Sequence, residues 1–229
     1  MSNEDDSSIN FEDYEILPED FSQPDLNFKV IVIGNSGVGK SSITKKATKN
    51  IFEESYNATI GFEFLSFILK IKNTIIRLQI WDTCGQEVYR SLITNFYRNS
   101  SLAIIVYSID NRESFENIDV WLKEMRKYSN PDTKVFLIGN KIDLEKERKI
   151  NKEEGEMFSK NNNISLFLET SAKIGFNTEK IFIEACRLLY KDYLTHKKNK
   201  KKKKIVTFPI DNNKQLNNQG HEMKNSCCS

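Results

Sequence analysis

The sequence predicts an α/β domain: a doubly wound, mostly parallel six-stranded sheet with helices on both faces. Three observations lead there. The apolar runs at 28–33 and 135–139 are short, which suits buried strands. Strand-like and helix-like patterns alternate along the chain. The first apolar run also ends directly in a glycine-rich loop that opens a helical segment.

That loop is Gly34-Asn35-Ser36-Gly37-Val38-Gly39-Lys40-Ser41. Strand, glycine-rich loop and helix form the context in which the GxxxxGK[ST] pattern holds phosphates. Backbone N–H groups from Gly34, Ser36, Gly37, Val38 and Gly39 can face the phosphates, and the following helix start adds free donors. Lys40 is placed to reach the β- and γ-phosphates, the Ser41 hydroxyl to ligate Mg²⁺, and Ser42 to contact the nucleotide from the helix.

Thr59-Ile60-Gly61 lies in a polar stretch between helix and strand. The Thr59 hydroxyl can reach Mg²⁺ and its N–H the γ-phosphate, so losing that phosphate would release the segment. The alternating run 76–81 ends at Asp82, whose carboxylate can hold Mg²⁺, by way of a water. In Asp82-Thr83-Cys84-Gly85-Gln86, Gly85 can turn its N–H to the γ-phosphate and Gln86 can orient an attacking water. The competing reading of Gln86 is a solvated turn residue.

Phe115, Ile118, Trp121, Leu122 and Met125 recur at helical spacing and predict a helix packed on the sheet. The run 135–139 places Asn140 at a strand end, where open α/β sheets put their ligands. In Asn140-Lys141-Ile142-Asp143, Asp143 can accept both N1–H and N2–H of guanine, a donor pair that adenine lacks. Lys141 can lie along the ring, and Asn140 can tie this loop to the phosphate loop. Asn151 with Glu154 reads as a capping pair opening the next helix. Ser171-Ala172-Lys173 follows a strand-like 166–168 and can offer a backbone N–H to guanine O6. A last helix is predicted over about 177–194, with Ile181, Ala185, Leu188 and Leu189 facing inward.

Together these segments resemble the Ras superfamily of small GTPases, and the Rab family within it, over about 28–194. The resemblance extends beyond the nucleotide motifs to Ile60–Phe64, Leu78–Thr83, Phe96-Tyr97-Arg98, Ile105–Ile109 and Asn117–Leu122. The ending Cys227-Cys228-Ser229 resembles a Rab prenylation site. Ras-type chains carry their Cys fourth from the end, and Ser226 stands there.

The resemblance implies the P-loop GTPase fold and a GTP/GDP switch in vesicle and membrane traffic that hydrolyses GTP with Lys40, Gln86 and Mg²⁺. Phe52 matches the aromatic packed on guanine and Tyr56 the one that closes over the γ-phosphate. Phe64, Trp81 and Phe96 match the aromatic triad that Rab effectors read, where ordinary core packing is the alternative. Implied partners are an exchange factor, an activating protein, escort and dissociation-inhibitor proteins, effectors and a membrane. A monomer without nucleic-acid partners is expected, cycling between cytosol and the cytoplasmic face of an organelle. Cys84 departs from the family, where Ala is usual, and Phe96 and Asn99-Ser100 replace the usual Tyr and Gly-Ala.

Charge divides the chain. Residues 1–27 hold nine acids and no Lys or Arg, which predicts a disordered extension. Residues 28–194 form the predicted GTPase domain. Residues 195–229 hold nine Lys against Asp211 and Glu222 and form a predicted basic tail. Its Lys run at 197–204 admits a nuclear, a solvated or a lipid-surface reading. The terminal Cys pair favours the lipid surface, because two prenyl chains anchor stably where one does not. The short apolar patch 205–210 resembles the motif that docks Rab tails on escort proteins. No apolar run is long enough for a membrane-spanning helix, and the acidic N-terminus is unlike a signal peptide. Cys84 and Cys186 suggest no disulfide framework.

Overall fold

The computed structural model describes residues 11–54, 61–83 and 96–205, with side chains described through residue 198. Residues 1–193 form one compact unit and 194–229 a second. Within the first unit the order is β1 (Tyr14–Leu17), β2 (Leu26–Ile33), α1 (Lys40–Lys49), β3 (Phe62–Ile71), β4 (Thr74–Thr83) and β5 (Leu102–Ser108). There follow α2 (Arg112–Glu116), α3 (Ile118–Tyr128), β6 (Lys134–Asn140), a 3₁₀ segment at Ile142–Glu147, α4 (Lys152–Asn161) and β7 (Leu166–Glu169). The last helix, α5, runs Thr178–Ile205, well past the predicted end at 194. In the second unit, residues 194–205 are helical.

One sheet runs in the order β1-β3-β4-β2-β5-β6-β7. Strands β4, β2, β5, β6 and β7 pair in parallel, while β3 is antiparallel to β4 and β1 antiparallel to β3. The C-terminal ends of all five parallel strands therefore lie at one edge of the molecule. The loops after β2, β4, β6 and β7 carry the chemistry read from the sequence.

Alternate strand residues face opposite sides, and both sides are covered. Ile31, Ile33, Ala103, Ile105 and Leu137 join Phe115, Ile118, Trp121, Leu122 and Met125 in one cluster, which is the helix packing that the spacing predicted. Their neighbours Val30, Val32, Ile104, Val106 and Ile138 are equally buried. On that second face the Phe67 ring meets Phe182 of α5 at 5.5 Å. Burying each such aliphatic or aromatic side chain contributes about 2 kcal/mol. Asn151 and Glu154 form the predicted capping box at α4, with Glu154 Oε1 accepting from Asn151 N at 3.0 Å.

Seven strands replace the six predicted, and the seventh lies inside the predicted disordered extension. Strand β1 extends the free edge of β3, with Tyr14 opposite Ile71 and Leu17 opposite Ile68. Four of the nine acids that suggested disorder, Glu12, Glu15, Glu19 and Asp25, are placed against partners. Glu19 Oε1 accepts from Ser66 N (3.1 Å), Asp25 Oδ2 accepts from Ile75 N (2.7 Å), and Glu15 lies 3.9 Å from Lys70. Arg187 of α5 fixes the start of the strand. Its Nε donates to the Phe11 carbonyl (2.9 Å), its guanidinium lies over Tyr14 (5.1 Å), and Glu12 is 3.6 Å away. The Phe11 ring meets Tyr190 edge to face at 6.0 Å. Charge count outweighed the short apolar content of Phe11, Tyr14, Ile16 and Leu17 in the sequence reading; edge pairing and the later arginine reverse that balance.

Candidate functional site: a phosphate loop, a carboxylate and a base-reading loop

The loop after β2 is shaped by close approach to its neighbours. Gly34 has φ +138°, and a Cβ there would lie 2.1 Å from the Val106 carbonyl oxygen of β5. Gly39 has φ +94°, and a Cβ there would lie 2.3 Å from Asn140 Nδ2. Both positions demand glycine for space and for the left-handed backbone. Gly39 is also the N-cap of α1 and supplies no side-chain cap, and no acid sits in the first turn. The N–H donors of that turn point toward an anion site, with the helix dipole in its favour. Lys40 is buried, and its Nζ donates to the carbonyls of Gly34 and Asn35, both at 2.9 Å. Ser36 is exposed on the loop, Val38 is buried beneath it, and Ser42 is half-buried on α1.

Asp82 ends β4 directly beside this helix start. The Ser41 hydroxyl donates to Asp82 Oδ2. The carboxylate is 0% exposed, yet Oδ1 has no hydrogen-bond partner among the described residues. Burial pushes its pKa up to about 6, against the Ser41 hydrogen bond and the Lys40 charge that lower it. A buried, under-satisfied carboxylate next to a serine hydroxyl is a hard oxygen donor set, and it fits Mg²⁺.

The base-reading loop is tied to the phosphate loop through one side chain. Asn140, buried at the end of β6, donates Nδ2 to the Val38 carbonyl at 2.9 Å, the tie predicted from the sequence. Its Oδ1 accepts from Thr170 Oγ1 (3.1 Å) and from Ala172 N (3.3 Å). One amide therefore joins the loops after β2, β6 and β7. Lys141 takes a left-handed backbone (φ +69°), and its ammonium lies 3.9 Å from Asp110. Asp143 is exposed and accepts a hydrogen bond from Ser171 Oγ. Of the backbone amides in Ser171-Ala172-Lys173, that of Ser171 donates to the Phe176 carbonyl (3.1 Å) and that of Ala172 to Asn140 Oδ1. Lys173 is exposed with its ammonium 3.5 Å from Glu54, which brings the segment bearing half-buried Phe52 to the same side.

A Ras family model matches residues 29–191. The chain belongs to the Ras family of small GTPases. It is accordingly a guanine-nucleotide switch with GTP hydrolase activity, in a family whose members bind GTP or GDP and typically Mg²⁺.

This Ras-family domain carries an aromatic patch on β3 and β4. Phe64 is 48% exposed, whereas Trp81 and Phe96 are half-buried, so surface and packing readings each hold for part of the triad. Trp81 lies 5.4 Å from Phe64 and 5.2 Å from Phe96 between ring centroids. Lys29 spans the inner side, 5.4 Å from the Trp81 ring, and donates to the Arg98 carbonyl at 3.0 Å. Burial lowers its pKa.

The sequence reading missed three participants. Phe62 is 50% exposed and touches both Trp81 (5.2 Å) and Phe96 (4.9 Å). Its position two residues from Phe64 on a strand was the available signal. Thr170 and Asp110 gave none, since each acts only through a partner distant in sequence. Tyr56, Thr59, Cys84, Gly85, Gln86, Cys227 and Cys228 lie outside the described residues.

Proposed function

We propose that this Ras-family GTPase is a Rab-type switch regulating vesicle and membrane traffic. It recruits effectors when GTP-bound and is extracted from or returned to the cytoplasmic face of an organelle by escort and dissociation-inhibitor proteins. The observation that carries this reading is the aromatic patch: exposed Phe64 beside Trp81 and Phe96 at the γ-phosphate side of β3 and β4. The five sequence segments and the terminal Cys pair point the same way.

In this reading Lys40 binds the β- and γ-phosphates and offsets charge developing on the bridging oxygen. Gln86 orients water for in-line attack; the new O–Pγ bond forms as the bond to GDP breaks, releasing GDP and phosphate. Ser41, Thr59 and Asp82 would hold Mg²⁺, which would supply further positive charge against the phosphate oxygens. Cys227 and Cys228 carry prenyl groups, and the Lys run lies on anionic lipid.

Fractionation of cells expressing a Cys227→Ser/Cys228→Ser variant tests the reading. The wild-type chain is expected in the membrane pellet and the variant in the supernatant. A variant that stays in the pellet refutes the prenyl anchor.

A further inference from the structure

The phosphate loop is held at its far end by Asn140, but its near end is held by a residue from a different element. Trp121, buried on α3, donates its indole Nε1 to Asn35 Oδ1 at 2.8 Å. The carbonyl of the same Asn35 accepts from Lys40 Nζ at 2.9 Å. A chain of two hydrogen bonds thus runs from the sheet-facing side of α3, through one loop residue, to the ammonium that binds phosphate.

Packing alone does not ask for an indole here. Trp121 sits among Ile118, Leu122 and Met125, where a phenyl ring fills most of the same volume. The nitrogen adds one directed donor, and it is spent on a half-buried side chain of the nucleotide loop. Asn35 follows Gly34, whose position is already fixed by the Val106 carbonyl. Anchoring Asn35 extends that fixed point by one residue and sets where its carbonyl stands for Lys40. A loop held in its binding shape does not have to be ordered when the nucleotide arrives, so the restraint appears as slower nucleotide release.

We propose that Trp121 is a positioning residue for guanine nucleotide: through Asn35 it holds the near end of the phosphate loop and the Lys40 ammonium in binding geometry. The outer side of α3 exposes Asp119, Val120 and Lys123, so the same helix presents solvent on one side and steers the loop from the other. This inference rests on the nucleotide switch shared by the family and stands apart from the membrane-traffic reading.

The test is dissociation of a fluorescent GDP analogue from the full-length protein with Mg²⁺ present. It compares wild type, Trp121→Phe, Asn35→Ala and the double variant. Loss of one neutral hydrogen bond predicts release roughly three- to tenfold faster in each single variant. The double variant should be no faster than the faster single variant, because both substitutions cut one path. Lost packing at Trp121 would instead multiply with the Asn35 effect, so a multiplicative double variant overturns the proposal. Asn35→Ala leaves the core intact, and wild-type release from that variant overturns the proposal even if Trp121→Phe folds poorly. Failure of the wild-type protein to bind the analogue would count against the nucleotide switch itself, a separate outcome.

Discussion

Asp82 at the end of β4 and Asp143 just after β6 are two carboxylates on the same edge of the sheet, and their surroundings suit them to different tasks. Asp82 is sealed from water beside Ser41, whereas Asp143 is exposed and touched by Ser171 Oγ. An exposed carboxylate is open to a pair of donors on a ring edge, where it can accept through both oxygens. Asp143→Asn replaces one acceptor by a donor, which conflicts with guanine N2–H but suits the C2 carbonyl of xanthine. The expected outcome is GDP binding weakened by about tenfold or more and xanthosine diphosphate binding strengthened, measured by competition against a fluorescent nucleotide. Unchanged preference for GDP would mean that Asp143 does not read the base. The places of Asp82, Asn140 and Lys40 were legible because a strand end and a glycine loop set them by local rules. The Trp121–Asn35 bond was not, since it joins residues 86 apart in sequence.

The elements show why most of the sheet could be read and one strand could not. The run 135–139 is apolar on both faces and 28–33 nearly so, with Lys29 the exception, and the Asn151–Glu154 box announces a helix start within four residues. Strand β1 has only four residues and depends on a ladder to β3 and a clamp from Arg187. Removing residues 1–17 takes away that ladder, the Phe11–Tyr190 contact and three partners of Arg187. The GDP-loaded truncated protein is expected to lose roughly 2–3 kcal/mol of stability, seen as a lower melting temperature. It is also expected to scatter more light on storage, because the β3 edge becomes an open template for pairing. Equal melting and equal scattering would make β1 an ornament on the edge.

For the whole molecule, the candidate nucleotide residues fall in 1–193, whereas the lysine run and terminal cysteines proposed as an anchor fall in 194–229. Changing the timer should therefore leave the anchor alone. Gln86→Leu is expected to slow single-turnover hydrolysis of bound GTP by about tenfold or more while membrane pelleting stays as in wild type. Wild-type turnover in this variant would remove Gln86 from the mechanism. Domain-level charge was a poor guide to order in residues 11–27. It summed nine acids without showing that Asp25, Glu19 and Glu15 each meet a donor.

The clamp on the first strand also bears on the order in which the chain is made. Ribosomes release the N-terminal end first, yet β1 pairs with residues 68–71, and Arg187, 176 positions after Phe11, holds its start. Strand β1 leaves the tunnel ahead of both partners, and the Arg187 clamp on its start closes only after α5 is made. Through synthesis its exposed Tyr14 and Ile16 travel unpaired beside a run of acids. Like charge between nascent chains keeps such a segment from pairing with its neighbours, so the acidity of the N-terminus guards the strand until α5 arrives.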